Sequence, residues 1–130
     1  MNIGEVSREA RVSTKTIRYY EEIGLLPEAV RGNNGYRNYE ANDVDRLVFL
    51  RRARAFGFTL DECRALLDLL NDPKRKNADV RALVEEHLVA LDKRFKDLRA
   101  FRKQLIELFD ACASDKNAEC AILNALLSGR

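Results

Sequence analysis

Apolar residues recur along this chain with helical spacing in five successive blocks, and the last block is far longer than the other four. The short blocks are Ile3, Val6 and Ala10; Ile17 and Tyr20; Val44, Leu47, Val48, Leu50 and Ala53; and Leu60, Cys63, Leu67 and Leu70. Residues that start or stop helices bound them. Ser13 is placed to cap a helix from Thr14 to Ile23 that Gly24 closes, and Asn42 to cap one that Gly57 stops. Thr59-Leu60-Asp61-Glu62 is a capping box for the fourth helix, which Asn71-Asp72-Pro73 ends. After the polar link Lys74-Arg75-Lys76, the fifth block runs from Ala78 to Ala111 without Pro or Gly, which predicts a helix of about 50 Å.

The apolar positions of that helix follow a seven-residue repeat: Val84, Leu91, Leu98 and Leu105 form one row, with Val80, Phe101 and Leu108 beside it. This is a coiled-coil seam. His87 and Arg94 occupy seam positions where apolar residues are expected, and such polar positions fix register and partner number. A chain of 130 residues has too little material to cover the seam itself, so the pattern predicts a homodimer through paired helices. The fold class is mainly α, with one further short helix after Cys120, over the apolar stretch from Ala121 to Leu127.

A hairpin signal, Asn34-Gly35, follows the first two helices. Two short helices joined by a tight turn make a helix-turn-helix, whose second helix enters the DNA major groove, and the hairpin then reads as a wing. On the second helix Lys15, Arg18 and Tyr19 lie on one side, with Ile17 and Tyr20 on the other. Cations reach phosphates or guanine edges, and tyrosine hydroxyls bond phosphates, so Lys15, Arg18, Tyr19 and Tyr20 are candidate DNA contacts. Arg31, Asn34, Gly35, Tyr36 and Arg37 of the wing join them, as does Arg54 at the end of the third helix.

Charge sharpens this reading. The chain has 23 Lys plus Arg against 21 Asp plus Glu, and a net charge of +2 does not by itself announce a nucleic-acid binder. Between Arg11 and Arg37, however, Arg11, Lys15, Arg18, Arg31 and Arg37 outnumber Glu21, Glu22 and Glu28. No apolar run is long enough to span a bilayer, and Met1-Asn2-Ile3-Gly4-Glu5 does not resemble a signal peptide, so a cytoplasmic protein without a membrane partner is expected. Nothing resembles a nucleophile with its base, a phosphate loop or a paired carboxylate site, so the chain is not read as an enzyme.

Three cysteines, an odd number, argue against a secreted disulfide scaffold. Cys63, at helical spacing among leucines, reads as core. Cys112 and Cys120 form a C-x7-C loop just after the long helix. Structural zinc sites take four ligands, and neither a second pair nor a nearby His exists here. Soft monovalent ions, Cu(I) with Ag(I) or Au(I) as alternatives, accept two thiolates, which makes these two residues candidate metal ligands. Ordinary cysteines, or a pair that responds to oxidation, remain open on spacing alone.

Arg18-Tyr19-Tyr20-Glu21-Glu22-Ile23-Gly24-Leu25-Leu26, followed by Arg31-Gly32-Asn33-Asn34-Gly35-Tyr36-Arg37-Asn38-Tyr39, resembles the MerR family of transcription regulators over essentially the whole chain. Gly57-Phe58-Thr59-Leu60, Asn71-Asp72-Pro73 and the C-x7-C loop resemble its copper-efflux branch. The resemblance implies a winged helix-turn-helix DNA-binding domain over residues 1–70, a linker and antiparallel dimerisation helix over 71–111, and a metal-binding loop with a short helix over 112–130. It further implies Cu(I) held by Cys112 and Cys120, and activation by distortion of a palindromic promoter so that RNA polymerase engages both promoter elements. The family's divalent sensors carry a cysteine, and its monovalent sensors a serine, where this chain has Asn77, a departure that bears on metal selectivity. Two alternatives accompany this reading: a thiol-redox regulator of the same type, and a Cu(I) storage or delivery protein without a DNA role.

Overall fold

The computed structural model describes residues 1–112, 114 and 118–129. The described residues form six helices, α1 (Ile3–Ala10), α2 (Thr14–Glu22), α3 (Ala41–Ala55), α4 (Leu60–Leu70), α5 (Asn77–Ala111) and α6 (Ala121–Ser128), with strands β1 (Val30–Arg31) and β2 (Arg37–Asn38). They divide into two compact units, Met1–Leu83 and Val84–Arg130.

In the first unit the helices begin where side chains satisfy their free N–H groups. Asn2 accepts the N–H of Glu5 at 2.9 Å while the Glu5 carboxylate accepts the N–H of Asn2 at 3.2 Å, a reciprocal cap. Ser13 accepts the N–H of Thr16 at 3.1 Å, as its position predicts. Thr59 and Glu62 exchange the expected pair of bonds at 3.1 and 2.9 Å. The third helix departs from expectation. It starts at Ala41 with Glu40 as cap residue, whose N–H donates to Asp43 Oδ2 at 2.9 Å, and Asn42 lies exposed in its first turn. The chain is already fixed one residue earlier, where Tyr39 is buried and its N–H bonds the Met1 carbonyl at 2.7 Å.

The capped helices close over one core. Helix α1 packs on α2 and α3, and α3 packs on α4. Val6, Ile17, Leu26, Leu47, Leu50 and Cys63 are fully covered, and burial of such a side chain contributes roughly 1.5–3 kcal/mol. Cys63 is therefore core, as its spacing predicts. Leu70, in the last turn of α4, is 44% exposed and does not join the buried face of Cys63 and Leu67. Gly24 ends α2 at φ 75°, and past it the N–H groups of Leu25 and Leu26 both reach back to the Tyr20 carbonyl.

The wing is a two-stranded antiparallel sheet pairing Val30 with Asn38 and Arg31 with Arg37. Residues 32–36 connect the strands. Gly35 N–H bonds Gly32 O, Gly32 N–H bonds Tyr36 O, and Asn34 Oδ1 accepts the Tyr36 N–H at 3.1 Å. Gly35 sits at φ 79°, a conformation that costs a side chain roughly 1–2 kcal/mol.

Helix α5 has 35 residues, and its seam is open on the second unit: Leu98, Phe101 and Leu105 are each more than half exposed. Leu98, Phe101, Leu105, Ile106 and Phe109 line an apolar groove with Ile122 at the start of α6. Leu123, Leu126 and Leu127 of α6 are exposed as well. His87 differs from its seam neighbours in being already buried within the single chain. No described helix is long and apolar enough to cross a membrane.

Leu47→Ala is expected to lower unfolding free energy by about 2–5 kcal/mol through the cavity it leaves. Gly24→Ala is expected to cost about 1–2 kcal/mol through strain in the left-handed region. Chemical denaturation of both variants checks this; equal midpoints for native protein and Leu47→Ala would contradict the core described above.

Candidate nucleic-acid interface and metal centre

The second helix presents Lys15, Arg18 and Tyr19 to solvent, because the 3.6-residue repeat that buries Ile17 and Tyr20 turns these outward. Tyr20 corrects the sequence expectation. It is 7% exposed, so its ring is a core element of the helix-turn-helix rather than a surface contact. Burial pushes its hydroxyl pKa up, opposed by the nearby Arg54 cation.

Helix α2 and the wing meet at one recess, lined by Arg18, Glu21, Glu22, Glu28 and Arg37. At its base the Glu21 carboxylate, whose side chain is 3% exposed, faces Arg37 Nε at 3.4 Å. It also accepts the Tyr39 hydroxyl and, at 3.4 Å, the N–H of Ala29. Burial and then the bond to Glu21 raise the Tyr39 pKa far above its ordinary value, so the phenol stays a donor.

Other expected contacts hold the chain to itself. Arg31 Nη1 donates to Gly35 O at 2.9 Å across the wing, and Arg54 Nη1 to Phe58 O at 2.6 Å. An arginine has five N–H donors, so each keeps others for a ligand. Tyr36 is 74% exposed at the wing tip, where Asn34 and Gly35 shape the loop beneath it. Sequence reasoning missed Arg64. Its guanidinium reaches from α4 to the carbonyls of Ile23 at 2.7 Å and Gly24 at 3.1 Å, capping the negative end of α2.

The thiols lie in the second unit. Cys112 follows the last turn of α5, its N–H bonded to Leu108 O at 3.0 Å, and Cys120 is the cap residue of α6. Their sulfurs stand 3.3 Å apart and both residues are half-buried. Residues 113 and 115–117 of the connecting loop lie outside the described residues. The N–H of Leu123 lowers the Cys120 pKa, helped by the Cys112 thiol and the N–H of Ile122, so the start of α6 favours a thiolate there. Cys63 is the opposite case, its pKa raised by burial.

The donor set fits a soft ion. Two thiols converge, and among the described residues no group of three or more His, Cys, Asp or Glu side chains is placed to hold a metal. Asn77 heads α5 and is exposed.

The chain as a whole is similar to known proteins. Residues 1–70 match the family described as MerR HTH family regulatory protein, and residues 44–108 match MerR, DNA binding. The chain is 46% identical over 130 residues to the HTH-type transcriptional regulator HmrR of Rhizobium leguminosarum bv. viciae, covering 99% of each. It is 42% identical to the HTH-type transcriptional regulator CueR of Yersinia pestis over 97% of this chain and 91% of that one. Among solved structures it resembles the transcription regulator PbrR691 from Ralstonia metallidurans CH34 in complex with lead(II), with a TM-score of 0.82 and 40% identity over 97% of this chain and 98% of the other. With its helix-turn-helix, wing and long helix in place, the chain belongs to the MerR family of helix-turn-helix regulatory proteins, and it is a transcription regulator rather than an enzyme.

Proposed function

We propose that this chain is a metal-responsive regulator that binds a palindromic promoter element as a homodimer and activates transcription when Cu(I), or the related Ag(I) or Au(I), is held by Cys112 and Cys120. The observation that carries this is the pair of half-buried thiols 3.3 Å apart, one just after α5 and one at the start of α6, in a chain that also carries a winged helix-turn-helix. The lead(II) complex of PbrR691 supports a metal signal without naming this ion.

Charge favours a monovalent ion. Two thiolates around one positive charge leave a net negative site, which the N–H groups of Ile122 and Leu123 are placed to stabilise. Cys112 and Cys120 would hold such an ion between the end of α5 and the start of α6. The protein does the rest. Fixing Cys120 fixes the first turn of α6 and with it Leu123, Leu126 and Leu127, which need apolar cover.

In this reading residues 1–70 are the DNA-binding head, 71–111 the linker and dimerisation helix, and 112–130 the metal-binding loop and short helix. Two α5 helices pair antiparallel through the open seam of Leu98, Phe101 and Leu105. That arrangement brings the Asn77 end of one helix beside the thiols of the other, where Asn77 tunes selectivity. Lys15, Arg18, Tyr19, Arg31, Tyr36, Arg37 and Arg54 supply the DNA contacts, with Asn34 and Gly35 shaping the wing. Distorting a promoter costs about 1–10 kcal/mol, and metal shifts that balance only through contacts that differ between the two states of the dimer. RNA polymerase engages both promoter elements on the distorted DNA.

A second reading rests on the same separation: an oxidant that takes two electrons and two protons from the thiols would join them as a disulfide. Anaerobic Cu(I) under a reductant separates the two, because only the metal reading predicts activation there.

Cys112→Ser and Cys120→Ser are each expected to lose Cu(I) binding and metal-dependent transcription in vitro while DNA affinity stays within about threefold, an energy change under 1 kcal/mol. A matching loss of DNA affinity would sink this assignment. Iodoacetamide should label Cys112 and Cys120 of metal-free native protein and spare buried Cys63, and one equivalent of Cu(I) per chain should block that labelling; labelling unchanged by Cu(I) counts against the site. Arg18→Ala should weaken DNA binding and reduce its salt slope by about one unit. An unchanged slope would remove Arg18 from the phosphate contacts.

A further inference from the structure

We infer that Glu21 is a positioning residue for DNA reading, and that it locks the wing to the recognition helix by holding Arg37 at Nε and so leaving its other guanidinium nitrogens to meet DNA. This rests on the DNA-binding reading above and extends it to a residue whose charge is opposite to that of a phosphate contact.

An acidic residue on a recognition helix is, by charge alone, a liability beside a phosphate backbone. Glu21 is nevertheless anchored from two further segments of chain. Tyr39, after the wing, donates its hydroxyl; Ala29, before the wing, donates its N–H; and Arg37 of β2 approaches with Nε. The carboxylate thus joins α2 to both ends of the wing at one buried point. The Arg37 side chain is 28% exposed, yet its Nε is fully covered and faces Glu21 Oε2 as an ion pair rather than a well-aligned hydrogen bond. Its exposure therefore belongs to other atoms of the side chain. Arginine suits this double task because its donors are spread over a rigid planar fork, one edge of which can face Glu21 while another meets DNA. A lysine has a single charged centre and can serve only one of the two.

The sign of the effect tests the idea. If Glu21 acts only through its charge, Glu21→Gln removes a negative group near phosphates and binding tightens. If Glu21 positions Arg37, the same isosteric change weakens binding, although Gln still accepts from Tyr39. The experiment uses the full-length protein and a duplex that the native protein selects from a random-sequence pool, with affinities measured across a salt series. Glu21→Gln is expected to weaken binding about tenfold, and Arg37→Lys, which keeps the charge, by a similar factor. The double variant should also lose about tenfold rather than a hundredfold, because both changes break one device. Thermal melting run alongside shows whether each variant is folded. Should Glu21→Gln not fold, Arg37→Lys decides alone: native affinity in it overturns the inference. Tighter binding by Glu21→Gln, or additive losses in the double variant, also overturn it. If the native protein selects no duplex, the DNA-binding reading and this inference fall together; if it does and the variants bind as the native protein does, the inference alone falls.

Discussion

The open apolar stripe of α5 is the constraint on which this chain depends. A 35-residue helix carrying Leu98, Phe101 and Leu105 at coiled-coil spacing leaves them more than half exposed within its own chain. Exposed apolar area of this extent is stabilised only by another surface. The same argument extends to α6, where Leu123, Leu126 and Leu127 stand uncovered. The first unit, by contrast, closes its own core over Val6, Ile17, Leu26, Leu47 and Leu50. One part of the molecule is thus complete as a single chain and the other is not. That difference suits a protein in which recognition is built once per chain and response is built between chains.

What the sequence made legible follows the range of each interaction. Ser13, Thr59 with Glu62, and Gly24 act within four residues of themselves, and each was readable from spacing. The seam of α5 was readable because the same spacing recurs over several turns. Interactions between distant positions were not. Arg64 meets Ile23 and Gly24 from about 40 residues away, and Glu21 meets Arg37 and Tyr39 across the wing, so only the folded chain brings them together. Tyr20 shows how two local signals compete: its helical phase pointed inward and its hydroxyl suggested DNA, and burial decided the matter. Asn42 lost the capping position because Asp43 could serve the N–H of Glu40 one residue further along.

The thiol pair was legible only as a spacing. C-x7-C says that two sulfurs can meet, and does not say what surrounds them. The structure adds the environment: Cys120 opens a helix whose first N–H groups favour negative charge, while Cys63 is fully buried. Two chemically identical side chains, Cys63 and Cys120, therefore have different chemistries, decided by burial and by the direction of one short helix.

The wiring of the wing has a consequence for the thermodynamics of recognition. Its connecting residues are held by the bonds from Gly32, Gly35 and Tyr36 and by Arg31 across the loop, before any partner arrives. Ordering a free backbone residue costs roughly 1–2 kcal/mol, so a limp loop of this size would forfeit much of its contact energy on docking. Here that entropy is already lost on folding. Association need immobilise little more than the side chains at the tip, which leaves more of the contact energy to appear as affinity.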